Sequence, residues 1–192
     1  AHEQGNEGAD EAEDDALDQA VADVGKDVHA RLHLRPEGAG IDADEMHAHE
    51  VAAEHPDRVA CIYADAPVCD IRSWPGGRGA SKGSPAFWAQ CLAAYGLTEA
   101  EADRFQGNPI DRLEPLAAAG IPILHVCGDA DEGVPMAENT DILVQRYRAL
   151  GGHAVVLVKP GCAHHPHSLD PPDAIVEILL HWLNRRGIGT LD

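Results

Sequence analysis

Two short segments near the C-terminus carry a carboxylate and an imidazole in positions from which they could act together. Residues 128–135 read Gly-Asp-Ala-Asp-Glu-Gly-Val-Pro and follow an apolar run at 121–127. Residues 160–165 read Pro-Gly-Cys-Ala-His-His and follow an apolar run at 154–158. An aspartate can orient an imidazole and stabilise its charged form, and the imidazole can take a proton from a nucleophile. The two segments therefore predict a paired acid and base, each in a turn after a buried strand.

The elements that must position these residues alternate between strands and helices. The pattern predicts strands at 58–64, 121–127 and 154–158, a helix end at 48–54, and helices at 85–95, 98–105, 109–119, 136–150 and 172–184. Such alternation is typical of an α/β fold with a mostly parallel sheet. Functional groups gather at the carboxyl edge of such a sheet, and Asp131 and His164 each come just after a strand.

The net charge and the composition limit the kinds of partner and the cellular locations that can be expected. The formal net charge of −19 would repel nucleic acid and anionic membrane surfaces, so neither is expected as a partner. The sequence contains no run of about 18 apolar residues, so no membrane-spanning helix is predicted. The N-terminus shows no signal peptide, and because a cleaved one leaves no trace, a cytoplasmic and a secreted location both stay open. The five cysteines, without a Cys-x-x-Cys pair, are predicted to be buried, reduced thiols.

The character of the chain changes near residue 50. Residues 1–50 contain 15 acidic and 3 basic residues and no Phe, Trp or Tyr, whereas residues 51–192 contain 18 acidic and 11 basic residues. A segment of the first composition buries too little apolar surface to offset its ordering entropy. We therefore predict an acidic, poorly ordered N-terminal segment at 1–50 and a globular domain at 51–192.

Residues 51–183 resemble the C-terminal half of an α/β-hydrolase of the esterase and prolyl-oligopeptidase-like kind. Residues 58–67, Arg-Val-Ala-Cys-Ile-Tyr-Ala-Asp-Ala-Pro, are similar to the strand that follows the nucleophile helix, and residues 52–59 match the end of that helix. The resemblance implies a three-layer α/β/α sandwich with an incomplete sheet. Either the chain is a truncated or rearranged fragment, or residues 1–50 are not a native hydrolase segment.

The resemblance also selects the acid and the base. In this family the acid lies three residues before a Val-Pro pair, which selects Asp131 over Asp129. The base follows a Gly-x-Gly/Ala turn, which selects His164 over His165 and His167. The resemblance thus implies that Asp131 orients His164 as the general base of a hydrolase.

The nucleophile elbow of the family, Gly-x-Ser-x-Gly, is not intact. Counting back from the helix end leads to residues 40–45, Gly-Ile-Asp-Ala-Asp-Glu, where Asp42 replaces the serine and Asp44 the second glycine. Haloalkane dehalogenases and epoxide hydrolases use an aspartate nucleophile, so Asp42 is the positional candidate. The alternative is that these carboxylates form a solvated acidic surface.

The predicted loop at 66–85 is long and rich in Pro, Gly and Ser, and such loops are often functional. In the parent family it is expected to shape the substrate side of the site. Trp74 could then stack on a sugar or an aryl ester, and the carboxylate of Asp70 could contact substrate hydroxyls. The alternative is a loop that its aromatic residues pin in place.

Metal and cofactor binding are not predicted. Three histidines at 164, 165 and 167 supply a common ligand type, but three imidazoles so close on one turn are not expected to converge. The acidic stretch at 7–18 lacks the Asp-x-Asp-x-Asp-Gly spacing of a calcium loop.

The resemblance implies hydrolysis of a carboxylic ester in a small-molecule substrate. Two alternatives stay open. One is a catalytically inactive, hydrolase-like binding module, and the other is an enzyme in which Asp42 attacks an alkyl halide or an epoxide. Because an incomplete sheet leaves edge strands, pairing of two copies into a homo-oligomer is also open.

Overall fold

The structure, a computed structural model, describes residues 43–186, with side chains from residue 48. Its three strands are β1 (Ile62–Asp65), β2 (Ile123–Gly128) and β3 (Ala154–Lys159). Its α-helices are α1 (Ala43–Glu54), α2 (Pro85–Tyr95), α3 (Glu99–Ala102), α4 (Glu114–Ala118), α5 (Thr140–Ala149) and α6 (Asp173–Arg185). Single 3₁₀ turns lie at Pro56–Arg58, Pro109–Asp111 and Met136–Glu138.

The strands form a parallel sheet in the order β1-β2-β3, as the alternating elements predicted. Ile62 is paired with Ile123, and Ile123 with Ala154, so the three strands start level. Their carboxyl ends therefore share one edge of the sheet. The turns that carry Asp131 and His164 leave from this edge, after β2 and β3 respectively.

Helices cover both faces of the sheet. Ile123 packs in a core with residues of α1, α4 and α5, such as Ala52, Leu116 and Leu143. The next residue, Leu124, packs on the opposite face against Trp182 of α6. Successive side chains of a strand point to opposite faces, and a strand covered on both sides needs apolar residues at nearly every position. This packing explains the continuous apolar runs and confirms the predicted three-layer α/β/α arrangement.

Local signals fix several helix ends. α2 begins at Pro85 after Ser84, whose hydroxyl accepts from the Phe87 N–H. α3 begins at a capping box formed by Thr98 and Glu101. The predicted strand at 58–64 starts only at Ile62, because the chain after Pro56 first makes a 3₁₀ turn.

The predicted helix at 136–150 is interrupted. Its first turn is 3₁₀, and α5 begins after Asn139, where the backbone leaves helical geometry. The Asn139 side chain accepts hydrogen bonds from the N–H groups of Cys69, at 2.9 Å, and Asp70, at 3.3 Å. This side chain therefore joins the start of α5 to the loop after β1.

The cysteines are thiols, as predicted: Cys69, Cys91 and Cys127 are buried, and the other two are partly buried. Burial raises the pKa of Cys91 to about 11. No helix between residues 43 and 186 has the length and apolar character needed to cross a membrane.

Candidate active site

The turn after β2 holds the Asp131 carboxylate rigidly. Its Oδ1 accepts hydrogen bonds from the Gly133 N–H at 2.8 Å and the Val134 N–H at 2.9 Å. Val134 is itself buried, and only 1% of the Asp131 side chain is exposed. Because Oδ1 is occupied by backbone donors, Oδ2 is left to contact another side chain.

That side chain is His164. Its Nδ1 lies 2.8 Å from Asp131 Oδ2, and a quarter of its side chain is exposed. A carboxylate only accepts, so Nδ1 carries a proton, and in the neutral imidazole the lone pair is then on Nε2. Among residues 48–186, no group forms a hydrogen bond with His164 Nε2. An imidazole fixed in this tautomer can accept a proton at Nε2.

The two turns are packed directly against each other. The Ala130 N–H donates to the Cys162 carbonyl at 3.0 Å, and Asp129 Oδ1 accepts from the Gly161 N–H at 2.6 Å. A Cβ atom at Gly128 would collide with the Cys162 carbonyl oxygen, so this position requires glycine. Asp129 therefore holds the backbone of the turn after β3 that carries His164, His165 and His167 (the histidine turn), while Asp131 contacts the His164 imidazole.

The far side of the histidine turn is anchored to the sheet. Asp65, the last residue of β1, accepts from the Ser168 N–H through Oδ1 at 2.7 Å and from the Tyr63 hydroxyl through Oδ2. Lys159, the last residue of β3, donates from Nζ to the Pro166 carbonyl. Backbone groups on both sides of His164 are thus tied to strand ends.

The expectation that the three neighbouring histidines do not converge is wrong. The ring centroid of His164 lies 4.9 Å from that of His165 and 5.2 Å from that of His167. The rings of His165 and His167 stack, with their centroids 4.5 Å apart. One ring nitrogen of each lies within 4.8 Å of the other two. The anchors at Asp65 and Lys159 fold the turn back on itself, which spacing along the sequence could not reveal.

Hydrogen bonds join the long loop after β1 to the turn that carries Asp131 (the acid turn). Ser81 donates its hydroxyl to the Gly133 carbonyl at 2.5 Å, and the Lys82 N–H donates to the Glu132 carbonyl at 2.9 Å. Glu138 accepts from the Ser73 hydroxyl at 2.7 Å and also from the Ala80 N–H. These bonds place the loop beside the turn that carries Asp131, and sequence patterns gave no signal for them.

The two predicted substrate contacts lie in this loop. Asp70 is bound by Arg72, whose Nε and Nη2 lie 2.7–3.0 Å from its carboxylate oxygens. The hydrogen bond to Asp70 raises the pKa of the Arg72 guanidinium. Both residues line a cleft of about 420 Å³. Trp74 packs on an apolar cluster that includes Val134, with its ring 6.2 Å from that of Phe87. A substrate role for Asp70 and Trp74 stays a prediction.

The predicted nucleophile position, Asp42, lies outside the described residues. The serines of the loop, for their part, have structural contacts: the Ser73 hydroxyl binds Glu138, that of Ser81 binds Gly133, and that of Ser84 caps α2. Cys162 Sγ lies 3.8 Å from the Pro160 carbonyl oxygen. Each of these four side chains therefore has a structural partner in the loop, the acid turn or its own turn.

Sequence reasoning missed a second pair of histidines. His125, within β2, is fully buried, and its Nε2 lies 3.1 Å from Nε2 of His49 on α1. Its Nδ1 lies 3.0 Å from the Thr140 hydroxyl, which also contacts Cys127 Sγ at 3.3 Å. Burial, and secondly the neighbouring His49, hold the pKa of His125 well below its ordinary value. The sequence signal for this buried pair was a histidine, His125, inside an otherwise apolar strand.

Solved structures share this fold. A protein of dipeptidyl aminopeptidase IV type from Bacteroides ovatus matches with a TM-score of 0.53 and 11% identity, covering 74% of this chain and 18% of its own. Puromycin hydrolase matches with a TM-score of 0.53 and 20% identity, covering 75% and 21%. This chain thus spans about a fifth of each of those proteins.

No protein-family model and no curated protein matches the chain. At these identities the structural likeness establishes the fold alone. The two solved structures are α/β-hydrolase-fold proteins, and the parallel sheet, its order and the helices on both faces agree with that fold. The described residues therefore have the α/β-hydrolase fold, in the part that corresponds to its C-terminal half.

Proposed function

We propose that this chain belongs to a hydrolase of acyl bonds, in which His164 is the general base and Asp131 is the acid that orients it. The observation that carries the proposal is the 2.8 Å contact between His164 Nδ1 and Asp131 Oδ2, at the carboxyl edge of a parallel sheet. Carboxylic esters are the first substrate class. Peptide bonds are the second, because one structural neighbour is of dipeptidyl aminopeptidase type.

The geometry supports one set of roles. Asp131 holds Nδ1 protonated, so that Nε2 of His164 can take the proton of an attacking nucleophile and later pass it to the leaving group. The carboxylate stabilises the imidazolium that forms between these steps. Backbone donors on Oδ1 keep the carboxylate from turning away. The two residues thus supply the proton-transfer part of acyl transfer.

The nucleophile is proposed to lie outside the described residues. Asp42 is its positional candidate within the sequence, and an aspartate there would form an ester with an alkyl halide or epoxide carbon. A serine nucleophile would instead form an acyl-enzyme. The two routes differ in their products, since only the first releases halide from an alkyl halide.

The test is hydrolysis of a p-nitrophenyl ester and of a peptide p-nitroanilide by the full chain. His164→Ala should lower kcat/KM by about 10²–10⁴-fold, because the base contributes that much to proton transfer. His55→Ala is the matched control, since His55 is exposed and lies in the turn after α1. Equal rates for His164→Ala and the parent chain would overturn the assignment.

A parent chain without turnover, and without labelling by a fluorophosphonate probe, would instead favour the inactive binding module. Halide release that Asp42→Asn abolishes would favour the aspartate nucleophile. Each result therefore selects one of the three functions that the sequence left open.

A further inference from the structure

The histidine turn carries three imidazoles, whereas proton transfer needs only that of His164. His165 and His167 stack on each other at 4.5 Å, with their rings 29° apart, and both make edge contacts with His164. The three ring nitrogens that could act as ligands lie within 4.8 Å of one another. Imidazole nitrogen is a preferred ligand of zinc and of similar divalent transition metals.

We propose that His164, His165 and His167 form a binding site for Zn²⁺, and that the bound ion occupies the nitrogen through which His164 acts as a base. The inhibitory part of this proposal rests on the proposed function. The binding part does not, because it depends only on the three imidazoles and the groups that hold them.

The spacing is within reach of a zinc site. Three nitrogens in a tetrahedral zinc site, each about 2.0–2.1 Å from the ion, lie roughly 3.4 Å apart. The observed separations of up to 4.8 Å therefore have to close by about 1.4 Å at most. His165 is exposed, so its ring can rotate without disturbing the core. A water molecule would complete the fourth position.

The surroundings of His164 also suit a metal ligand. Its Nδ1 is engaged by Asp131, which leaves Nε2 as the nitrogen that can bind an ion. Ligating histidines commonly donate their other ring N–H to a carboxylate, which fixes the tautomer and strengthens the ligand. The structure already contains this arrangement, with the carboxylate itself held by two backbone N–H groups.

Backbone contacts hold the turn that presents the three rings. The Ser168 N–H donates to Asp65, the Gly161 N–H donates to Asp129, and the Pro166 carbonyl accepts from Lys159. A turn fixed before the ion arrives loses less conformational freedom on binding. The net charge of −19 further raises the local concentration of cations around the chain.

Zn²⁺ binding to the full chain can be measured by calorimetry, with the visible spectrum of bound Co²⁺ as a report on geometry. The chain contains 12 histidines, so the comparison is between variants rather than with zero binding. His165→Ala and His167→Ala should each weaken the tight site by about tenfold or more and change the Co²⁺ spectrum. His55→Ala, the matched control at an exposed position, should change neither.

Asp131→Asn sharpens the test. The carboxamide can donate to Nδ1, which moves the imidazole proton to Nε2 and removes the ligand, so the Zn²⁺ affinity should fall by about 10–100-fold. Unchanged Zn²⁺ affinity in His165→Ala, His167→Ala and Asp131→Asn alike would overturn the site.

Activity assays separate this proposal from the proposed function. Saturating Zn²⁺ should suppress ester hydrolysis by the parent chain, and EDTA should restore it. The Zn²⁺ concentration for half inhibition should rise about tenfold or more in His165→Ala, relative to the zinc-free rate of that variant. Tight, histidine-dependent Zn²⁺ binding by a chain that hydrolyses nothing would support the site and overturn the hydrolase. Hydrolysis that Zn²⁺ does not affect would overturn the inhibitory role.

Discussion

Two groups of histidines lie around the same sheet in opposite surroundings. His125 lies inside β2, fully buried, with one ring nitrogen 3.1 Å from His49 and the other 3.0 Å from Thr140. His164 lies beyond β3, with one ring nitrogen 2.8 Å from Asp131 and a quarter of its side chain exposed. Both imidazoles are oriented by a neighbour, so orientation alone does not distinguish them.

The difference lies in what the second nitrogen meets. In His125 it meets another buried imidazole, and burial lowers the pKa so that the ring stays neutral. In His164 it lies in a partly exposed turn at the carboxyl edge of the sheet. Position relative to the strand end therefore separates a histidine that is buried inside a strand from one that lies at the partly exposed edge of the sheet.

The largest expected effect tests the exposed group. Asp131→Asn should lower kcat for ester hydrolysis by about 10⁴-fold, because the carboxamide favours the wrong imidazole tautomer. The asparagine Oδ1 can still accept from Gly133 and Val134, so the turn should keep its shape. Asp129→Asn is the control, since the Asp129 side chain accepts from the Gly161 backbone N–H, whereas the His164 ring is bonded to Asp131. Equal losses in both variants would contradict the distinction between the two aspartates.

The next effect tests the buried group. His125→Ala leaves a cavity and removes the hydrogen-bond partner of Thr140 and of His49, so the free energy of unfolding should fall by about 2–4 kcal/mol. Urea denaturation measures it. His165→Ala, at an exposed position, should change stability by about 0.5 kcal/mol or less. If the two substitutions cost the same, the contrast between the groups fails.

A third prediction concerns pH. The unfolded chain binds a proton at position 125 below its ordinary pKa of 6.5, whereas the folded chain keeps His125 neutral. Stability is therefore fully present above about pH 6.5 and falls below it, by at most about 1.4 kcal/mol per pH unit for this one group. Urea denaturation at several pH values between 7.5 and 5 should show a shallower fall for His125→Gln. An identical pH slope in that variant would rule out His125 as the cause.

The smallest effect concerns the anchor of the histidine turn. Asp65→Asn replaces a charged acceptor of the Ser168 N–H by a neutral one, which should cost about 1 kcal/mol. Amide hydrogen exchange at Ser168 should become faster, while exchange in β2 should stay unchanged. Asp57→Asn, at an exposed position, is the control. Unchanged exchange at Ser168 would show that β1 does not hold the turn.

Local patterns were enough to predict much of the fold. The bounds of α2 follow from Pro85 and its cap at Ser84, and the capping box of Thr98 marks the start of α3. The buried strands can be identified in the sequence as apolar runs, because helices cover both faces of the sheet. The places of Asp131 and His164, each in a turn after such a run, followed from the same pattern.

Long-range contacts could not be predicted in this way. The turn that brings the three histidines together is bonded to Asp65, about one hundred residues earlier in the chain. The ion pair of Asp70 with Arg72 and the interruption before α5 at Asn139 depend on how the loop after β1 folds over its neighbours. Residue types and spacing do not contain that information.

The contact between Asp131 and His164 lies within one continuous stretch of the chain. Asp131 and His164 follow two neighbouring strands joined by a single helix, so both belong to one continuous β2-α5-β3 unit. A recombination event that transfers residues 123–168 would carry the aspartate, the imidazole and the contact between them as one cassette. Such a cassette could be joined to different preceding segments without the contact between Asp131 and His164 having to evolve again.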